Sequence, residues 1–134
     1  INIRIPRFLP DFARGLAEHY KAHGLCLALG GISIAELYKN PENVARVRRI
    51  MEEVVRAAKA RGHTLPDDLV EFHLSRTESM GAFIPSSAVD YNEGRPIEYT
   101  AIWGDPLAKA HQAGASVPEW EQLDRDIRQR LKMD

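Results

Sequence analysis

The sequence predicts an all-α, multi-helix domain on three observations. Apolar residues recur at helical spacing through most of the chain, prolines and capping residues stand at the starts of those segments, and no stretch alternates with period two. At 134 residues the chain is the size of one domain and can bury a core of its own, so residues 1–134 are expected to form a single helical unit.

The elements follow in order. Pro6 and Pro10 keep the first ten residues extended, and a first helix begins near Asp11 with Phe12, Leu16 and Tyr20 on one face, interrupted at Gly24. The apolar run LCLALGG fits a buried helix or a short strand and ends at Gly30 and Gly31. Ser33 with Glu36 three residues on has capping-box spacing and predicts a short helix through Tyr38. Asn40 and Pro41 then open the longest helix, to about Arg61, with Val44, Val47, Met51, Val54, Val55 and Ala58 on its apolar face and Gly62 beyond its end.

Thr64 and Pro66 predict the start of another helix, carrying Leu69, Val70, Phe72, His73 and Met80 and broken by Gly81 and Pro85. Ser86 and Ser87 after Pro85 mark a further helix start, with hydroxyls suited to capping amides or holding a ligand. Gly94, Arg95 and Pro96 predict the next start, with Pro96 in the first turn and Glu98 placed against the exposed amides. Asp105 and Pro106 read as a fresh cap and first turn, so a kink or two helices end to end are expected before Gly114. Ser116 and Pro118 open the last helix, with Trp120, Leu123, Ile127 and Leu131 on one face.

Composition narrows the function. Eighteen basic and nineteen acidic residues give a net charge of −1, which supplies no long-range attraction to nucleic acid or to an anionic membrane. The basic residues from Arg46 to Arg61 alternate with Glu52 and Glu53, as on a solvated helix face with internal ion pairs. The single cysteine, Cys26, sits among leucines and reads as a buried thiol in a reducing, cytoplasmic compartment. No apolar run reaches membrane-spanning length and no signal peptide is visible. The chain starts at Ile1 rather than methionine, as a fragment or a processed chain would.

Residue chemistry by itself is sparse. Gly30 and Gly31 are not followed by the further glycines of a phosphate loop, and His19 and His23, four apart, lack the glutamate that follows the first histidine in HExxH and any obvious third ligand, so no metal is expected. Taken singly, Ser86 reads as a helix cap and Glu98 as a first-turn carboxylate; Arg95 is solvated or pairs with Asp90 or Glu93.

Two segments, however, resemble a known family. Pro85 to Trp103, continued by HQAGASVP, is similar to the C-terminal domain of ketopantoate reductase (2-dehydropantoate 2-reductase). There a serine starts a short acidic helix, a GRPTE-like segment opens the next and a turn of HGIPVP type follows. The matching residues are Ser86, Asp90, Gly94, Arg95, Pro96, Glu98, His111, Gly114, Val117 and Pro118, and upstream Glu36, Leu37, Pro41, Glu52 and Gly62 match the long-helix segment.

The resemblance implies the helical C-terminal fold shared with the 6-phosphogluconate dehydrogenase type of reductase, and a role in pantothenate biosynthesis. It also implies an N-terminal Rossmann domain, absent from this chain, that binds NADPH, and a 2-keto acid such as 2-dehydropantoate held between the domains. By the same resemblance Ser86 is substrate-binding, Glu98 lies at the reacting centre, an early lysine is the general acid, and a homodimer is admitted. Counting back without gaps from Ala28 and Leu29 puts that lysine at Leu16 and the asparagine one turn later at Tyr20. Lys21, turned about 500° further along a helix, is the candidate proton donor if a small insertion or deletion precedes residue 25.

Without a hydride donor bound, this chain alone is not expected to reduce a substrate. The rival reading is a non-catalytic helical interaction or dimerisation domain that keeps the fold without the activity.

Overall fold

The computed structural model describes residues 23–62, 67–79 and 81–133. The predicted first helix, Leu16, Tyr20, Lys21, Thr64, Pro66 and Met80 lie outside the described residues. Those described form α1 (His23–Ala28), α2 (Ile34–Tyr38), α3 (Pro41–Ala60), α4 (Leu69–Glu78), α5 (Ser86–Asn92), a π-helical turn (Thr100–Gly104), α6 (Asp105–Gln112) and α7 (Pro118–Arg130), with no strand among them. The all-helical expectation holds.

The long helix α3 is the spine, contacting α2, α4, α6 and α7, while α1 packs on α5 and α7. Val47, Ile50, Met51, Val54, Ala57 and Ala58 of α3 are wholly buried, facing Trp120, Leu123 and Ile127 of α7 in one core. Asn40 caps α3 as predicted, its Oδ1 accepting from the Glu42 amide at 2.9 Å, with Pro41 in the first turn. Ser33 caps α2 likewise, accepting from the Glu36 amide at 3.1 Å.

The ambiguous run after Gly24 is helical. Every residue from Gly24 to Ala28 is buried, and a helix that is apolar all round is stable only inside a core. The segment whose end Gly24 was expected to mark lies outside the described residues, while Gly24 is itself helical, within α1. A Cβ there would stand 3.0 Å from Trp103 Nε1 and 3.2 Å from Leu123 Cδ2, so the glycine sets how closely α1 approaches its neighbours.

Other expectations shift. Glu53, grouped with the charged face of α3, is 3% exposed and belongs to its core face. The basic residues around it are largely engaged: Arg46 pairs with Asp126 at 3.0 Å, Arg49 with Glu42 at 2.9 Å, and Arg48 with Glu71. Residues 95–98 are not helical, so Pro96 starts no helix and Glu98 sits in no first turn. The reason lies upstream. Gly94, at φ +74, closes α5 in a Schellman turn, with the Gly94 amide donating to Tyr91 O at 3.2 Å and the Arg95 amide to Asp90 O at 2.8 Å. This sends the chain out of the helix into a non-helical segment, and Pro96 is equally satisfied there because it has no N–H to place.

Helical structure resumes at Tyr99. The predicted kink before Pro106 takes the form of the π turn, which runs into α6 with Asp105 already in helical geometry and making no side-chain cap. A widened turn just before a proline accommodates the hydrogen bond that Pro106 cannot donate.

Candidate functional site

Two short helices begin beside one another. The Ile34 amide donates to Phe83 O at 2.9 Å, which ties the start of α2 to the loop that leads through Pro85 into α5. Ser86 is the first residue of α5. Its side chain makes no capping bond and is exposed, so the cap expected of it is not formed. The far end of α5 is fastened by Asn92, whose Nδ2 donates to Gly31 O at 2.9 Å.

Glu98 is exposed on the segment between α5 and the π turn. Neither Glu98 nor Ser86 has a side-chain hydrogen bond or ion pair among the described residues, so both present free polar groups. The residue after Glu98 is firmly held. Tyr99 is 8% exposed, its hydroxyl donates to Asp124, and Arg128 reaches that hydroxyl at 3.4 Å while its guanidinium lies 5.5 Å from the ring centroid. Burial, reinforced by the bond to Asp124, pushes the Tyr99 phenol up, so it stays a protonated donor at neutral pH. Arg95 pairs with Asp90 at 2.9 Å and with Glu93, which stiffens the turn rather than offering a free cation.

The sequence reading overlooked the Tyr99 anchor. Its signal was present in Asp124 and Arg128, four apart and therefore on one face of α7. It also overlooked the clefts. Residues 94–97 wall one of about 740 Å³, which adjoins another of about 480 Å³ through Tyr91, Arg130 and Lys132. Glu98 is the next residue along the chain from that wall; Ser86 and Glu98 line neither cleft. Among the described residues no three His, Cys, Asp or Glu side chains converge as metal ligands.

Comparison with known proteins places the chain. Residues 22–130 match the family described as Ketopantoate reductase PanE/ApbA C terminal. A 2-dehydropantoate 2-reductase of Nostoc sp. is 38% identical over 73 residues, which make up 54% of this chain and 23% of that protein. The crystal structure of 2-dehydropantoate 2-reductase from Geobacter metallireducens GS-15 superposes with a TM-score of 0.80 at 31% identity, covering 88% of this chain and 39% of that one. The enzyme of the same name from Methylococcus capsulatus gives 0.76 at 26% identity, covering 90% and 38%. The chain thus spans about two-fifths of the length of these solved relatives. With four-fifths of its residues inside the family match and an all-helical fold that superposes on these reductases, the chain belongs to the ketopantoate reductase C-terminal domain family.

Proposed function

We propose that this chain is the substrate-side domain of an NADPH-dependent reductase acting on a 2-keto acid such as 2-dehydropantoate. The observation that carries the reading is that Ser86 and Glu98 are each exposed and without a side-chain partner among the described residues, on the segment that also carries the family pattern. Polar groups kept free beside buried, well-bonded neighbours suit a ligand better than a purely structural interface, which favours the reductase over a non-catalytic interaction domain.

In this reading the Ser86 hydroxyl hydrogen-bonds the substrate, Glu98 lies at the reacting carbon, and Lys21 supplies the proton to the keto oxygen, where a cation beside a developing alkoxide lowers the barrier. The described residues do not fit a dinucleotide. Their regular elements are all helices, with no strand leading through a glycine-rich turn into a helix. NADPH is accordingly assigned to a preceding N-terminal domain, with residues 1–134 as one helical domain docked to it. A cytoplasmic location, resting on the lone buried Cys26, and a homodimer, resting on the family, complete the proposal.

The test uses the gene product that joins this chain to its cofactor domain, assayed by NADPH oxidation with 2-dehydropantoate. Glu98→Gln lowers kcat by about a hundredfold or more with the fold intact, and Ser86→Ala mainly raises KM. Parent rates in Glu98→Gln would remove Glu98 from the reaction. No turnover with any 2-keto acid by the parent protein would remove the reductase reading.

A further inference from the structure

The two adjoining clefts lie where helices end. Leu29 after α1, residues 94–97 after α5 and residues 131–133 after α7 line them together. Such a place collects backbone carbonyls and favours cations, and two are present in excess. Arg130 spends only its Nε, donating to Ala28 O at 3.1 Å, and its terminal nitrogens make no hydrogen bond among the described residues. Lys132 has no side-chain partner among them at all. The other charges on these walls are engaged: Asp126 with Arg46 and Gln122, Arg95 with Asp90 and Glu93.

Beside these two cations, which have no carboxylate partner among the described residues, lie apolar side chains that the fold leaves partly in water. Leu29 is 38% exposed and Met133 39% exposed, and the half-buried Leu131 and Ile97 continue the surface. Exposed apolar area rimmed by charge marks an interaction surface, and methionine adapts readily to a partner's shape.

We propose that this double cleft is a docking groove for an acidic polypeptide segment bearing an apolar anchor. Its carboxylates would meet Arg130 and Lys132, and its anchor would pack on Leu29, Leu131 and Met133. The two terminal nitrogens of a guanidinium donate bidentately to a carboxylate, which gives the interaction direction as well as charge. Charge selects this occupant over the alternatives. A second copy docked groove to groove would bring Arg130 and Lys132 against their own counterparts. A nucleic acid would find two free cations where tight binders use several, and would leave the apolar wall wet. The inference is independent of the reductase reading, since neither Ser86 nor Glu98 lines the groove.

The experiment is fluorescence anisotropy on the 134-residue chain. The probe is a short labelled peptide of mixed Glu and Asp carrying Leu and Phe. Comparison probes are the same peptide with Lys for its acidic residues, the same with Ser for Leu and Phe, a labelled single-stranded oligonucleotide, and phosphatidylglycerol vesicles. The acidic apolar peptide binds, and each altered peptide binds about tenfold more weakly or worse. Lys132→Asn, which suits a backbone at φ +58, and Leu29→Ser each weaken binding by about three- to tenfold at an unchanged melting temperature. Equal binding by the Lys peptide, parent affinity in both variants, or tighter binding of oligonucleotide or vesicle overturns the proposal. So does a dimer in sedimentation that Lys132→Asn dissociates, because it would assign the groove to a second copy.

Discussion

The carboxylate of Glu53 accepts the backbone N–H of Trp120 at 2.8 Å, across 67 residues of chain, and its other oxygen accepts that of Glu119 at 3.0 Å. These amides belong to the first turn of α7, whose own cap position is Val117, a residue whose side chain has no polar atom to offer. Glu53 is thus the N-cap of a helix to which it does not belong, and the Ser116 expected to play that part does not. Ser116 instead gives its carbonyl to Arg56 at 3.3 Å, and Arg56 lies 3.8 Å from the Glu53 carboxylate.

Removing this link should cost more than an ordinary cap. Glu53→Ala leaves two amides orphaned in a buried place and opens a void, so we expect a loss of about 2–4 kcal/mol. Glu53→Gln keeps one acceptor but turns an NH₂ group toward an N–H, for a loss of about 1–3 kcal/mol. Urea denaturation reads both; a Glu53→Ala midpoint equal to the parent's would mean the bonds carry no stability.

What was legible in the sequence was what is local. Asn40 and Ser33 accept from amides within three residues of themselves, and the structure holds these two caps as the spacing predicts, while the Glu36 carboxylate pairs with Lys39 instead of returning to Ser33. The period of Val47, Met51 and Val54 gave the buried face of α3 for the same reason. Glu53 was misassigned because its partner lies a domain's width away in sequence, and residue type alone puts a glutamate on the solvent side. Pro96 was misassigned because proline suits an extended segment as well as a first helical turn, and the Gly94 turn decided between them. Of the candidate site, Ser86 and Glu98 were visible as residue types within a family pattern, whereas the Tyr99 anchor and the groove depend on α7 returning to the end of α5, which no local pattern encodes.

Gly31 should tolerate no side chain. Its φ of +85 disfavours any L residue, and a Cβ would fall 2.3 Å from Asn92 Oδ1. Gly31→Ala is expected to destabilise the fold by about 2–4 kcal/mol, part strain and part collision. The two parts separate in a double-mutant cycle. Asn92→Ala relieves the collision but not the backbone strain, so Gly31→Ala with Asn92→Ala should be less destabilised than the sum of the single variants. Simple additivity would show that the two residues do not press on one another.

Stability should fall at alkaline pH. Burial pushes the Cys26 thiol up to about 12 from an ordinary value near 9, and burial together with the Glu78 charge raises the Tyr38 phenol to about 12. The folded chain therefore keeps protons that the unfolded chain has released, so the unfolding free energy is whole below about pH 9 and declines as pH rises from there through 12. For Cys26 alone the loss across that window is on the order of 4 kcal/mol. Cys26→Ala, which costs about 1 kcal/mol at neutral pH by leaving a small void, should flatten the decline. Denaturant melts at stepped pH measure it, and an equally steep fall in Cys26→Ala would assign the alkaline loss to other groups.

The bond between Tyr99 and Asp124 is the means by which the segment carrying Glu98 is held to α7. Tyr99→Phe keeps the ring beneath Arg128 and removes only the hydroxyl, so we expect a loss of about 1 kcal/mol. Asp124→Ala should cost a similar amount, and the double variant little more than either, because both singles abolish the same bond. A coupling energy near zero would show that ring burial alone holds Tyr99. Under the reductase reading proposed above, the pair also distinguishes position from chemistry. Glu98→Gln is expected to reduce kcat at every pH where the enzyme is folded, whereas Tyr99→Phe leaves the Glu98 carboxylate in place and loosens only its support. Its loss in kcat should then be only several-fold, and a hundredfold loss would make Tyr99 itself part of the reacting centre.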